Sequence, residues 1–445
     1  MDLRDTAFEV LMIVADRAEA EVTVTEGRTA LTRFANSFIH QNVAEDYQRV
    51  RLKVIDDGRA ATGSANRLDR ESLVRLVDET LEAARLRPVD PDWPGLAPPT
   101  AWLTLEDDRY DPKTHLAEPV ARAQVVKDFV DAGGDGGGHT EAAGYCATKG
   151  WGIYFANNAQ HRAGGRATLA AVDAIHRTPT SDSRAWQFGP TIGEIDGAAA
   201  GRLAAERARA AANPIDVEPG HYEVVLEPAC VADVLEFLSD GFNAKTYSEG
   251  RSWVKPKAAL LDESINIWDD VNDPRAIGVS FDAEGTPKAQ RVLVRDGVCR
   301  ALVHDRRTAK RSGTRSTGHA VPGGEVSGPM PTNLFLAGGE QSPEELVADV
   351  ERGLLVTDFW YTRILDPKTQ VVTGLTRNGT FLIEKGKIVG AVRNLRFTQS
   401  YVEALGPDNV LGLGNDGRLY ESWGATAHVP SLRLAAWNFT GGAKG

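Results

Sequence analysis

The nine histidines of the chain are its first candidates for metal or acid–base chemistry, and they stand at His40, His115, His139, His161, His176, His221, His304, His319 and His428. Zinc held on a helix needs two imidazoles about one turn apart, with a glutamate nearby as base. The closest histidines along this chain are 15 residues apart, so no helical pair can be built. A site gathered from distant ligands, such as His304, His319 and an acid, remains open, although isolated histidines are more often structural or exposed.

Two glycine-rich segments could in principle bind phosphates. The segment GLGNDG (412–417) has the spacing of a dinucleotide fingerprint, but that motif must open a helix and here the strand-like RLYE follows. A plain turn is the better interpretation. The segment GGDGGG (133–138) lacks the lysine and the serine or threonine of a phosphate loop, so we interpret it as a flexible connection. The chain also contains no GxSxG nucleophile elbow.

One pair of carboxylates has a spacing that could serve acid–base chemistry. Glu236 and Asp240 stand four residues apart on a helix predicted over 231–242, where they would share a face. The simpler interpretation, an acidic stripe facing solvent, is favoured.

The composition limits the class of protein and of partner. With 445 residues, the chain exceeds the size of one ordinary hydrophobic core, so two domains are expected. Its formal net charge of -12 argues against nucleic acid and anionic lipid as partners. The three cysteines are too far apart for a CxxC site, and neither a signal peptide nor an apolar run of about 20 residues is present. A cytoplasmic protein is expected.

Periodicity predicts an antiparallel sheet with helices in the first half of the chain. Val22 and Val24 alternate with polar residues, as do Val50, Leu52 and Val54, and Asp57-Gly58 after them supplies a hairpin turn. Helices are predicted over 11–20, from the N-cap Asp69 to before Pro88, from Pro119 to Val130, and over 197–212.

The second half is predicted to be rich in strands. A strand at 221–228 precedes the helix at 231–242, and Asp-Gly pairs at 296–297 and 416–417 mark turns between alternating apolar runs. Ser342-Pro343-Glu344-Glu345 has the pattern of a capping box at a helix start. The predicted fold class is α+β, with an N-terminal α/β domain (1–219) containing a mixed or antiparallel sheet and a β-rich, barrel-like C-terminal domain (220–445).

Four segments together resemble the TldD/TldE family, whose TldE members are also called PmbA. They begin with FANSFIHQNV (34–43) and continue over 281–320, 331–360 and 379–400. The resemblance implies a two-domain subunit that pairs with a homologous subunit. The pair would enclose a cavity in which a zinc site cuts unfolded peptides, including leader segments of modified peptides.

The two branches of that family differ at one helix. The catalytic branch carries a His-Glu-x-x-x-His motif, whereas the matching segment here places Leu235 and Asp240 at the histidine positions, and only Glu236 resembles the motif. The stretch 421–445 also lacks the cysteine ligand of the catalytic branch. The resemblance therefore implies a TldE-like chain that holds no metal cofactor, with zinc bound by a TldD-like partner subunit. A stand-alone hydrolase and a peptide-binding scaffold without catalysis are the alternatives.

The loop from Arg315 through Thr317 and Gly318 to His319 offers hydrogen-bond donors, a flexible glycine and an imidazole. We expect this loop and Glu236 to face the substrate cavity shared with the partner subunit. An ordinary surface loop would have much the same sequence, so this alternative stays open. The expected partners are the homologous TldD-like subunit and unfolded peptides, with no nucleic acid and no membrane.

Overall fold

The computed structural model describes residues 2–100, 109–134, 140–422 and 425–442. His139 and most of the glycine-rich segment 133–138 therefore lie outside the described residues. The helices in these ranges are α1 Leu3–Val14, α2 Arg70–Arg85, α3 Pro112–His115, α4 Pro119–Ala132, α5 Gly197–Ala210, α6 Pro228–Ser239, α7 Ala244–Ser248, α8 Arg306–Arg311, α9 Gly324–Ser327, α10 Pro343–Ala348 and α11 Tyr401–Ala404. Among them, no helix has the length and apolar composition needed to cross a bilayer.

The strands come in runs of one to four between these helices along the described chain. Those of the first half are β1 Glu19–Ala35, β2 Phe38–Asp56, β3 Arg59–Ala65, β4 Glu141–Asn157, β5 Arg162–Thr178 and β6 Ser181–Gly189. Those of the second half are β7 Gly220–Leu226, β8 Ile267–Asp269, β9 Arg291–Arg295, β10 Val298–Cys299, β11 Asn333–Leu336, β12 Arg352–Asp366, β13 Val371–Glu384, β14 Lys387–Ala391, β15 Leu395–Ser400, β16 Val410–Leu413, β17 Arg418–Ser422, β18 Ala425–Val429 and β19 Leu432–Gly442. The predicted α+β class is confirmed.

The first half forms one antiparallel sheet in the order β3-β2-β1-β4-β5-β6. The predicted hairpin between β2 and β3 is confirmed, since Asp57 and Gly58 have φ angles of 49° and 73°. Alternate side chains of β1, such as Val22 and Val24, are buried under α1 and α2. Phe34 and the neighbouring strands bury their apolar side chains under α4 and α5. The helices thus cover one face of the sheet and leave the other for the second half of the chain.

The first helix differs from its prediction over 11–20. It starts at Leu3 after the N-cap Asp2 and ends at Val14, because Ala15 adopts a φ of 51° that a right-handed helix cannot continue. Ala7, Val10 and Val14 supply the buried face. The predicted helices that became α2, α4 and α5 are confirmed, with the Asp69 carboxylate accepting a hydrogen bond from the Ser72 N–H.

The second half contains the barrel that the sequence predicted. Strand β12 pairs with β7 on one side and with β13 on the other, and β7, β19, β15 and β13 follow one another in the same sheet. These pairings close a ring of five strands. Its interior is filled by large buried side chains, including Phe397 and Trp437. The proposed division between residues 219 and 220 remains a prediction.

A second sheet, in the order β10-β9-β8-β11-β18-β17, lies beside the barrel. Helix α6 contributes Leu235 and Leu238 to the core that joins them. The capping box at Ser342 is confirmed by reciprocal hydrogen bonds with Glu345. The turn at 416–417 connects β16 to β17, but these strands pair with β19 and β18 instead of with each other.

Candidate functional site

A cleft of about 560 Å³ lies between the uncovered face of the N-terminal sheet and segments 277–283 and 318–333 of the second half. Successive strand residues point to opposite faces, so the valines of β1 go to the helices and the residues between them go to the cleft. The floor of the cleft is formed by Thr23 and Thr25 of β1, Tyr47, Arg49 and Arg51 of β2, and Lys149, Trp151 and Ile153 of β4. The sheet therefore presents a polar and aromatic floor.

Two glycines allow the cleft walls to come this close. A Cβ on Gly165 of β5 would lie 2.8 Å from Val279 Cγ1, so only glycine lets segment 277–283 rest on the sheet. Gly318 has a φ of 74°, and a Cβ there would lie 2.5 Å from the carbonyl oxygen of Pro287. Gly165 thus sets the spacing between sheet and wall, and Gly318 sets the packing of its loop against Pro287 within the second half of the chain.

A buried ionic network supports the wall. The Asp269 carboxylate, fully buried at the end of β8, lies 3.1 Å from His319 Nε2 and 3.6 Å from Lys288 Nζ. Its other oxygen accepts hydrogen bonds from the N–H groups of Thr332 and Asn333 at 2.8 and 2.6 Å. Burial alone would raise the pKa of Asp269. The charge of Lys288, the His319 contact and the backbone donors outweigh it and hold that pKa well below its usual range.

Thr317, His319 and Asp269 have the order of groups found in a nucleophile triad, because Thr317 Oγ1 lies 2.9 Å from His319 Nδ1. The threonine hydroxyl is already engaged. It accepts from the His304 N–H at 2.7 Å and donates to the His304 carbonyl oxygen at 3.1 Å. His319 Nδ1 also lies 2.7 Å from the Thr317 carbonyl oxygen. The arrangement fixes the loop and leaves no hydroxyl free to attack a substrate.

The structure brings two of the predicted site residues to the cleft. Gly318 and His319 line it, and Thr317 lies behind His319. Arg315 is exposed and is not part of the cleft wall, and Glu236 points to solvent from α6. The predicted helix over 231–242 was too long, because α6 ends at Ser239.

Asp240 therefore does not share a helix face with Glu236. It lies in a 3₁₀ turn after α6, half-buried, with its carboxylate 3.4 Å from Thr246 Oγ1. Burial raises the pKa of Asp240.

Several buried carboxylates were missed by the sequence reasoning. Asp233 of α6 accepts hydrogen bonds from Tyr401 at 2.8 Å and Thr362 at 2.7 Å, and burial raises its pKa to about 7. Beside the cleft, burial raises the pKa of Glu21 to about 7, although Lys53 lies 3.8 Å away and opposes the shift. The apolar neighbours of Asp233 on a predicted helix were the one signal that could have found it.

Histidine, cysteine and carboxylate side chains do not converge on a metal site in the described ranges. In them, no group of three or more histidine, cysteine, aspartate or glutamate side chains is placed to hold a metal ion. The alternative site of His304, His319 and an acid is therefore not assembled by the described residues.

Comparison with known families decides the wider relationship. A model of the PmbA/TldA metallopeptidase C-terminal domain matches residues 219–441, and a model of domain 1 of the same metallopeptidases matches residues 20–84. The chain belongs to the TldD/TldE (PmbA) metallopeptidase family. The resemblance found in the four sequence segments is thus confirmed.

Relatives in this family share sequence with the chain. A metalloprotease of Methanothermobacter thermautotrophicus is 28% identical over 212 residues, which are 45% of this chain and 44% of the relative. A TldD homologue of Haemophilus influenzae, also a metalloprotease, is 25% identical over 247 residues, 52% of this chain and 49% of the relative. The chain thus matches only about half the length of these curated relatives.

A solved structure covers nearly the whole chain. The crystal structure of TldE from Thermococcus kodakarensis superimposes with a TM-score of 0.86 over 98% of this chain and 99% of that chain, at 17% identity. At that identity the likeness establishes a common fold.

Proposed function

We propose that this chain is the TldE-like, non-catalytic subunit of a cytoplasmic heterodimeric zinc metallopeptidase that cuts unfolded peptides. The TldD-like partner subunit supplies the zinc. This chain contributes a wall of the substrate cavity and a surface that positions the peptide.

The observation that carries the proposal is an open strand edge at the mouth of the cleft. Residues 38–49 of β2 pair with β1 on one side, and β3 covers the other side only from Val50 onward. All twelve of these residues are exposed. An extended peptide can pair with such an edge through backbone hydrogen bonds, which do not depend on its side chains.

The open edge and the cleft are one surface. Tyr47 and Arg49 belong to the edge and also line the cleft. Phe38 and Val43 point to the same face of the sheet and are 58% and 44% exposed. A peptide that pairs with β2 would therefore contact these apolar side chains along its length. One end of the peptide would lie in the cleft.

The zinc of the family does not fit α6 of this chain. Its side chains include no histidine, and its potential zinc ligands are Asp233, Glu236 and the thiol of Cys230. Cys230 is buried, and its thiol donates to the Val356 carbonyl oxygen at 3.5 Å. Asp233 is held by Tyr401 and Thr362, and Glu236 points away to solvent. A zinc site needs three or four converging ligands, so we assign metal binding and the activation of water to the partner subunit.

Peptide cleavage by separate and mixed subunits tests the proposal. The chain alone should leave an unfolded, fluorescently labelled peptide intact, and a mixture with a histidine-bearing homologue should cut it. Cleavage by the chain alone would favour the stand-alone hydrolase. Binding without cleavage in every mixture would favour a scaffold.

A pair of variants tests the open edge. Val43→Lys places a charge on the edge and should weaken binding of an uncharged peptide several-fold. Val389→Lys is the control, since Val389 is an exposed valine (54%) on β14, away from the cleft. Equal binding by both variants would remove the edge from the proposal.

A further inference from the structure

The cleft carries more positive than negative charge in a chain whose formal net charge is -12. Its charged lining residues are the cations Arg49, Arg51, Lys149 and Lys288 and the acids Asp282 and Glu421. Arg49, Arg51 and Lys53 alternate along the cleft-facing side of β2, so they form a row at intervals of roughly 7 Å. This row has the sign that attracts carboxylates.

Most of these cations already have a partner. Lys149 lies 3.5 Å from Glu421, Lys288 lies 3.6 Å from Asp269, and Arg51 lies 3.6 Å from Glu325. Arg49 is exposed, and its guanidinium makes no ion pair or hydrogen bond with any residue that the structure describes. Among the four described cations that line the cleft, Arg49 is therefore the one whose N–H donors are free to bind a ligand.

The remaining acid of the cleft does not serve Arg49. Asp282 is buried, and its carboxylate accepts hydrogen bonds from the N–H groups of Glu284, Thr286 and Ala320 at 2.8 to 2.9 Å. Burial raises the pKa of Asp282 to about 6, and these three backbone donors occupy its carboxylate oxygens.

The position of Arg49 on the open edge determines what it can reach. It is the last open residue before β3 begins to cover β2 at Val50. In a strand paired with β2, the residue opposite Arg49 points to the same face, with its Cβ about 5 Å from that of Arg49. A carboxylate on that residue, or at a peptide terminus that ends there, lies within reach of the guanidinium fork.

We propose that Arg49 is a specificity-determining residue that binds a carboxylate of the peptide held on the β2 edge. The subunit then selects acidic over neutral unfolded peptides. This inference rests on the proposed function, because it requires a peptide in the cleft.

Four peptides of one otherwise uncharged sequence test the proposal by fluorescence anisotropy with the full chain. They carry Glu or Gln at one central position, each with a free or an amidated C-terminus. The Glu peptide should bind about fivefold more tightly than the Gln peptide at low salt, and the ratio should shrink at high salt. If the free-terminus peptides instead bind more tightly than the amidated ones whatever the central residue, the bound carboxylate is the terminal one, which also supports the role of Arg49.

Variants then assign the preference to one side chain. Arg49→Gln should remove most of the preference for the Glu peptide. Arg49→Lys should keep part of that preference, because lysine retains the positive charge but lacks the planar pair of donors that binds both carboxylate oxygens. Arg396→Gln changes an exposed arginine on β15 and should keep the full preference. Circular dichroism establishes that each variant is folded.

The possible results distinguish the role of Arg49 from the proposed function on which it rests. Equal binding of all four peptides by the unaltered chain would overturn the role of Arg49 and leave peptide positioning intact. A preference that survives Arg49→Gln would do the same. Failure of every peptide to bind would overturn the proposed function and this inference with it.

Discussion

Replacing Asp269 with asparagine should destabilise the protein more than any other isosteric change near the cleft. All four of its neighbours are donors: His319 Nε2, Lys288 Nζ and the N–H groups of Thr332 and Asn333. An asparagine amide must turn its own NH₂ toward two of these donors. The change also leaves the nearly buried Lys288 without its carboxylate.

The size of the effect follows from the burial of the pair. Breaking a fully buried ion pair by removing one partner costs about 3–5 kcal/mol, because an uncompensated charge remains in the interior. The folded-state pKa of Asp269 is lowered, so its contribution is fully present above the unfolded pKa of about 4. It is lost as the pH falls below that value toward the folded pKa. The destabilisation should therefore be constant from neutral pH down to about pH 5 and shrink in stronger acid.

Urea unfolding followed by tryptophan fluorescence measures this difference. With an m-value of about 3 kcal/mol/M, the midpoint of Asp269→Asn should fall by about 1 M or more. Asp270→Asn is the matched control, because the neighbouring carboxylate is half-buried and, among the residues that the structure describes, accepts a hydrogen bond only from the N–H of Asn272. Equal urea midpoints for Asp269→Asn and Asp270→Asn would refute the stabilising role assigned to the buried ionic network of Asp269.

Three further changes have definite expected results. Gly165→Ala should lower the unfolding free energy by about 1–3 kcal/mol, because the added methyl group clashes with Val279. Gly390→Ala is the control, since its methyl group would meet no atom within 4 Å and should leave the unfolding free energy unchanged. Thermal melts compare the two variants. Because the pKa of Glu21 is raised to about 7, its stabilising contribution is complete below about pH 4 and is lost as the pH rises through 7. Glu21→Gln should gain stability relative to the unaltered chain between pH 5 and pH 8, and an equal difference at both would contradict this. Ser342→Ala removes the capping box and should cost about 1 kcal/mol in the same melts, so an unchanged melting temperature would count against the cap.

Local signals explain what could be predicted of the fold. The Asp57-Gly58 turn, the Asp69 N-cap and the Ser342 capping box each depend on residues within a few positions of one another. The pairing of β12 with β7 joins segments more than a hundred residues apart, so local patterns predicted strands in the second half but could not specify how they close the barrel. The first helix was misplaced because the φ of Ala15 has no signature in the sequence.

The candidate site was predicted in part for the same reason. The loop that ends at Gly318 and His319 was identified by its residue types, and it does line the cleft. Asp269 was missed because its partners Lys288 and Asn333 come from distant segments. Arg49 looked like one polar residue of an alternating strand, and the assembled fold alone shows that no described carboxylate pairs with it.

The zinc content of the purified chain, alone and with a histidine-bearing homologue of the TldD type, tests the central proposal most directly. Mass spectrometry of metals should find far less than one zinc per isolated chain and about one zinc per pair of subunits, since a single site with three or four ligands is expected in the partner. One tightly held zinc per isolated chain would contradict the assignment of catalysis to the partner subunit.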